Sequence, residues 1–324
     1  MGLMGGSVCD MLIANVFEKP KDFVSFAFQG GEPTLCGADY FLHFFAEVEK
    51  RRGSTQVHYS IQTNGTLIDD EWAKLMADNK VLVGLSLDGT KEINDANRVD
   101  AADKSTFNAV MNAARLFNKY KVDFNILAVV TNVNARSAVK VYNYFSRCGF
   151  NYLQFIPCLD DFGSDKQTLS VEKYEHFLKS VFDAWYNDFT SGKYISVRNI
   201  DNYISMLQGR PAENCAMGGV CGNFFVVEAD GSLYPCDFYC VDKWKLGNIR
   251  DKEPFEMDRK HDAFIGQSRL LNNKCRQCKY QFICRGGCKR DREPDYTANK
   301  YCGAYYAFFE YALPRMQHIA RNLN

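Results

Sequence analysis

The sequence predicts an α/β protein: a parallel sheet with helices outside it, open or curled into a partial barrel, followed by a second domain organised by cysteines. Three observations carry this. Residues 1 to about 160 alternate between strand-like and helix-like periods. A long amphipathic stripe follows at 170–189, and after about residue 210 cysteine, glycine and short strands dominate. A repeated strand–loop–helix order implies parallel strands, because each helix returns the chain to the starting end of the sheet. In such folds ligands sit beyond the carboxyl ends of the strands.

The strand candidates are, in order, "DFVSFAF", "QVHYSIQ", "KVLVGLSL", "VDFNILAVV" and "NYLQFIP", all short apolar or alternating runs. Each ends at a turn signal: Gly30-Gly31, Asn64-Gly65, Asp88-Gly89, Thr131-Asn132 and Pro157. The first reads as a buried strand. Between the strands lie helical patterns, one with Asp69 as N-cap ahead of Trp72, Leu75 and Met76. Ser170 to Phe189 carries Val171, Tyr174, Phe177, Leu178, Val181, Phe182 and Trp185 on one face, a core stripe. "FFVVEADGSLYPC" reads as a hairpin turning at Asp230-Gly231. Residues 303–322 form a closing helix, expected to kink or break near Pro314.

Charge excludes some functions. The chain carries 39 basic and 39 acidic residues with no polybasic tail, so nothing points to nucleic acid or a membrane surface. The run Lys289, Arg290, Arg292 reads as a solvated surface. No apolar stretch approaches membrane-spanning length and no signal peptide is apparent, so a cytoplasmic location is expected.

Thirteen cysteines are many for a chain without an export signal. In a reducing compartment, clustered cysteines are metal ligands or catalytic thiols. Eight fall into two groups: Cys215, Cys221 and Cys236 upstream; Cys275, Cys278, Cys284, Cys288 and Cys302 downstream. Eight ligands make two four-thiolate sites, and Cys275-x-x-Cys278 is a chelating turn. Soft thiolates select zinc or iron–sulfur clusters, and spacing alone leaves both open. Cys9, Cys36, Cys148, Cys158 and Cys240 read as small buried hydrophobes.

"FAFQGGEPT" places Gly30-Gly31-Glu32-Pro33 directly after a strand, where glycines let backbone approach a ligand. With "QTNGTLID", "VGLSLDGTKEI", "GSLYPCDFY", "KLGNI" and "CRQCKYQFICRGGCKRDR", it resembles radical S-adenosylmethionine (SAM) enzymes carrying a SPASM domain, and among them the anaerobic sulfatase-maturating enzymes. These motifs span nearly the whole chain in order.

The resemblance implies an incomplete (β/α)6 radical SAM barrel over 1–190, a connecting helical segment over 191–212, a SPASM domain over 213–302 and a C-terminal helix over 303–324. It implies two auxiliary 4Fe–4S clusters, one on Cys215, Cys221, Cys236 and Cys288, the other on Cys275, Cys278, Cys284 and Cys302. The backbone at Gly31 would receive the amino group of S-adenosylmethionine. Ser86 and Arg98 would hold its carboxylate, for which a guanidinium is suited. Leu159 would touch the adenosyl group, Gln29 would face the substrate, and Asp237 would be the general base. The implied reaction oxidises a cysteine or serine of a sulfatase polypeptide to Cα-formylglycine, with electrons exchanged with a donor such as flavodoxin or ferredoxin. Rival readings are another peptide-modifying SPASM enzyme, a non-catalytic iron–sulfur protein and a zinc-organised protein.

One part of the family pattern is missing. The third 4Fe–4S cluster, which activates S-adenosylmethionine, needs a Cys-x3-Cys-x2-Cys run, and none occurs in these residues. Upstream of Gln29 there is only Cys9. The expectation is a chain lacking the first strand and cluster loop, unable by itself to cleave S-adenosylmethionine, whatever its full-length parent does. The barrel edge so exposed is expected to favour dimerisation or poor solubility.

Overall fold

Strands form where the apolar runs end in turn residues. The computed structural model describes residues 2–162, 164, 166–256, 259–292 and 298–323. Six parallel strands follow chain order: β1 (Phe23–Phe28), β2 (Gln56–Thr63), β3 (Leu82–Ser86), β4 (Phe124–Val130), β5 (Tyr152–Pro157) and β6 (Ser196–Val197). The first five match the sequence expectation. The sixth has two residues and so no period to read. Three short antiparallel strands follow, β7 (Val226–Val227), β8 (Ser232–Tyr234) and β9 (Gly247–Asn248).

The chain divides into two compact units. The first comprises Met1–Ser86, Asn108–Phe124 and Asn223–Ile265. In it β1 pairs with β2 from Phe23↔Gln56 to Phe28↔Ile61, and β2 with β3 from Ser60↔Leu82 to Thr63↔Leu85. Phe26 and Phe28 pack on Phe44 of helix Ala38–Arg51, with ring centroids 5.1 and 4.9 Å apart. Ser25 and Ala27, on the other face, are exposed. So β1 is not the buried strand its composition suggested; period-two alternation sends Phe26 and Phe28 to the packed face and leaves Phe23, Ser25 and Ala27 exposed on the other.

Helix Asp70–Asp78 starts as expected, with the Asp69 carboxylate accepting the Trp72 amide at 2.9 Å, and buries Trp72, Leu75 and Met76. The hairpin is also present: β7 pairs with β8 through Val226↔Tyr234 and Val227↔Leu233, and Asp230 accepts the Ser232 amide at 2.8 Å in the turn.

The second unit comprises Leu87–Phe107, Asn125–Gly222 and Gly266–Asn324. Here β4 pairs with β5 from Ile126↔Leu153 to Val130↔Pro157, and β5 with β6 through Tyr152↔Ser196 and Leu153↔Val197. Helix Val171–Thr190 is capped by Ser170 and buries Tyr174, Phe177, Val181, Phe182 and Trp185. It packs along helix Cys302–Asn322.

That closing helix runs as one element through Pro314, so it does not break there. Proline removes one backbone donor, but Phe308, Phe309, Ala312, Leu313, Met316 and Ile319 are all buried around it. Arg315 adds an ion pair to Asp183 at 2.8 Å. Burial on both sides of the proline outweighs the missing hydrogen bond. Among the described residues no helix is long and apolar enough to cross a membrane.

Replacing Asp69 with alanine removes an N-cap and is expected to cost about 1 kcal/mol. Urea unfolding followed by circular dichroism should show a lower midpoint at unchanged slope. An unshifted midpoint would show that the cap contributes nothing.

Candidate functional site

In the first unit β1 delivers the chain to an exposed Gln29-Gly30-Gly31 turn. Gly30 and Gly31 have φ of +85° and +51°, which side-chain-bearing residues seldom adopt. No atom crowds either glycine, so the turn needs them for backbone conformation, and Gly31 keeps its backbone open to solvent. Glu32 fixes the loop. Its Oε1 accepts the Thr34 amide at 3.1 Å and the hydroxyls of Thr34 and Thr63 at 2.6 and 2.7 Å; its Oε2 accepts the Asn64 amide at 2.7 Å. One carboxylate thus ties the turn after β1 to the end of β2. Ser86, the last residue of β3, is buried.

In the second unit the carboxylate organiser is Asp88, which is buried. Its Oδ1 accepts the Val129 amide of β4 at 2.8 Å, and Arg98 grips both oxygens, Nε to Oδ2 at 2.8 Å and Nη2 to Oδ1 at 3.2 Å. Arg98 is therefore oriented by an internal partner through two of its three nitrogens.

Leu159, half-buried, follows β5 in a loop anchored on both sides. Tyr301 donates its hydroxyl to the Cys158 carbonyl at 3.0 Å, and Arg290 donates to the Asp160 carbonyl at 2.8 Å while stacking on Phe162 at 3.6 Å. Tyr301 precedes Cys302 and Arg290 lies two residues beyond Cys288, so the Leu159 loop is held by neighbours of two thiols.

The second unit brings seven of the eight expected ligand cysteines into two sets. Burial pushes the Cys288 thiol up to about 12, with the Asp291 charge next and Cys215 and Cys221 adding to it. Burial likewise pushes Cys284 up to about 11, and there the neighbouring thiols are Cys302, Cys275 and Cys278. By these neighbours the thiols fall into two groups, Cys215 and Cys221 with Cys288, and Cys275, Cys278 and Cys302 with Cys284.

Local geometry explains them. Cys215 opens the short helix Cys215–Gly218, capped by Asn214. Gly219 then adopts φ of +71°, and a Cβ there would overlap the Arg285 carbonyl oxygen. Only glycine lets the first segment approach the second so closely. Cys221 donates its amide to Ser268 Oγ at 2.9 Å. On the other side, Asn272 caps Cys275 at 2.8 Å, and the amides of Tyr280 and Arg290 point at the sulfurs of Cys278 and Cys288 at 3.5 and 3.4 Å.

Backbone N–H groups aimed at sulfur suit thiolates that carry negative charge. Among the described residues no three His, Cys, Asp or Glu side chains close on a single ion position. A cubane spreads its four thiolates over four irons, so its ligand set is wider than that of one zinc. The donor chemistry fits iron–sulfur clusters.

Cys236 lies in the first unit, at the end of the β8 hairpin, with its thiol donating to Asp237 Oδ1 at 3.3 Å. Asp237 is exposed and opens a short 3-10 turn, Asp237–Tyr239, over a buried ring cluster of Tyr239, Phe264 and Trp244.

Two sequence expectations fail here. Lys289 and Arg292 are buried, not solvated; a short basic run gives no sign of the carbonyls that will surround it. Of the five spare cysteines only Cys9 is buried, whereas Cys36, Cys148, Cys158 and Cys240 are half-buried. Sequence reasoning also gave no role to Glu32 and Asp88, although both stand inside the quoted motifs; an acidic residue directly after a strand's end was the available signal.

Residues 10–145 match the family model of the Radical SAM superfamily, and residues 215–279 that of the SPASM iron–sulfur cluster-binding domain. With parallel strands feeding glycine and carboxylate loops and a cysteine-rich region later in the chain, the chain is a radical SAM oxidoreductase with a SPASM domain. The cysteine-type anaerobic sulfatase-maturating enzyme of Clostridium perfringens (strain 13 / Type A) is 44% identical over 335 residues, covering 99% of this chain and 90% of the relative. A serine-type enzyme of Klebsiella aerogenes is 30% identical over 305 residues, covering 93% and 75%. The solved structure of native anSMEcpe with bound AdoMet and Cp18Cys peptide superposes with TM-score 0.95 at 44% identity, covering 100% of this chain and 92% of that one. The chain belongs to the anaerobic sulfatase-maturating enzyme family.

Two variants test the site. Gly219→Ala should fold its barrel but lose iron from the first cysteine set, read as a reduced iron-to-protein ratio after anaerobic loading; full iron content would refute the close-approach argument. Asp88→Ala leaves half-buried Arg98 without its carboxylate and the Val129 amide without its acceptor, and should cost about 1–3 kcal/mol, measured by denaturant unfolding; an unchanged midpoint would refute the organising role of Asp88.

Proposed function

We propose that this chain serves a cysteine-type anaerobic sulfatase maturation, in which a cysteine of a sulfatase polypeptide is oxidised to Cα-formylglycine. The observation that carries this is the 44% identity, over 99% of the chain, to a cysteine-type enzyme, against 30% for serine-type relatives. When bound, S-adenosylmethionine and its cluster supply the radical that removes a hydrogen atom from the substrate β-carbon.

The roles of the chain's own residues follow from their chemistry. The open backbone at Gly31 accepts the ammonium of the bound cofactor. Ser86 and the Arg98 edge that Asp88 leaves free take its carboxylate. Leu159 covers the adenosyl group, and Gln29 faces the peptide. Asp237 takes the thiol proton, a task for which an exposed carboxylate on a turn anchored by buried Tyr239 is accessible yet fixed. Cys215, Cys221, Cys236 and Cys288 hold one auxiliary cluster, and Cys275, Cys278, Cys284 and Cys302 the other. These accept the second electron, and a flavodoxin or ferredoxin in the cytoplasm supplies the first.

The test uses the natural full-length protein, loaded with iron and sulfide without air and given reductant, S-adenosylmethionine and a cysteine-containing sulfatase peptide. It should yield 5′-deoxyadenosine and formylglycine. Cofactor cleavage without peptide oxidation would move the assignment to another peptide modification. Asp237→Asn in the same protein should keep its iron and bind S-adenosylmethionine while losing about 10²–10⁴-fold in peptide oxidation.

A further inference from the structure

The basic run beside the clusters has a use that its solvated reading would not allow. Arg292 is fully buried, and among the described residues its three donating nitrogens meet backbone carbonyls: Nη2 to Ser268 O at 2.7 Å, Nη1 to Leu270 O at 2.7 Å and Nε to Cys288 O at 3.4 Å. Carbonyl dipoles solvate a cation without neutralising it. Two of these anchors belong to the first cysteine set: Cys288 is a member, and Ser268 also holds the Cys221 amide. The guanidinium further lies beside Gly286, between Cys284 of the second set and Cys288 of the first. Lys289, also buried, directly follows Cys288 of the first set. Asp291, between Arg290 and Arg292 in the chain, accepts from Asn299 at 3.5 Å.

We propose that Arg292 is a counter-charge shared by the two auxiliary clusters, making each easier to reduce, with Lys289 reinforcing the first alone. This rests on the reading that the two cysteine sets hold 4Fe–4S clusters. A cubane on four thiolates is anionic and gains one more negative charge when it takes up an electron. A fixed cation in a poorly polarisable interior therefore favours the reduced form. In the proposed reaction the electron comes from the substrate carbon after hydrogen removal and leaves to an external acceptor protein. Arg292 thus acts on electron departure and touches neither peptide nor cofactor.

The full chain, loaded anaerobically and poised at fixed potentials with dithionite, reports both midpoints by EPR. Arg292→Gln should lower both, each by about tenfold in the reduced-to-oxidised ratio at a given potential, ~59 mV for a one-electron couple. Arg292→Lys, which keeps the charge, should restore both. Lys289→Gln should lower one only. Unmoved midpoints in an Arg292→Gln protein with full iron content overturn the proposal. Should that variant lose iron, the other two decide: wild-type midpoints in Arg292→Lys and one lowered midpoint in Lys289→Gln support it, and any other pattern overturns it. Wild-type protein holding zinc in place of iron sinks the cluster reading itself, a different failure from iron present with midpoints unmoved.

Discussion

The reversal of the chain at Arg285-Gly286-Gly287 is the constraint on which the cysteine domain depends. Cys284 and Cys288 are four residues apart, and on a continuous helix they would share a face. Instead the helix Gln281–Cys284 stops, and three successive residues take φ of +51°, +85° and +70°. Cys288 emerges turned away and joins Cys215 and Cys221, while Cys284 stays with Cys275, Cys278 and Cys302. One short segment therefore belongs to both sets, and neither can assemble without fixing part of the other. Arg285 bears a side chain in the left-handed region, a strain that persists only where the surroundings dictate it; its carbonyl is the surface against which Gly219 closes.

The barrel loops follow a related rule. Glu32 and Asp88 each stand just past a strand's end, and each accepts several donors including a backbone amide from a neighbouring strand or loop. A carboxylate there satisfies amide groups that the end of a parallel ladder leaves unpaired. It also gives the loop one conformation, so the backbone at Gly31 and the guanidinium of Arg98 are in place before any ligand arrives. Preorganisation of this kind lowers the ordering cost of binding.

Much of this was legible in the sequence, for physical reasons. β1 to β5 announce themselves because each is an apolar run closed by a turn residue, and the Asp69 and Ser170 caps because their side chains have a local partner. The assignment of Cys284 and Cys288 to different sets came from motif resemblance, since no spacing argument reveals three positive φ angles in a row. Burial of Arg292 was illegible because its partners, the carbonyls of Ser268 and Leu270, lie over twenty residues away and any sequence supplies carbonyls. The unbroken helix through Pro314 was illegible because proline's cost is local and the packing that overrides it is tertiary.

The elements around the thiols are too short to stand alone. Cys215–Gly218, Asn273–Arg276 and Gln281–Cys284 are single turns of four residues, below the length at which helices persist in water. Burial at the same time raises the thiols of Cys221, Cys275, Cys284 and Cys288, so near neutral pH they are protonated until a metal displaces the proton. Iron binding must therefore supply what short helices and buried thiols lack, and it releases protons as it does so. Assembly of the clusters and folding of this region become one event. That coupling also accounts for the buried cations: Lys289 and Arg292 are costly in an empty site and favourable beside anionic clusters, so the sequence is stable as a whole only in the loaded state.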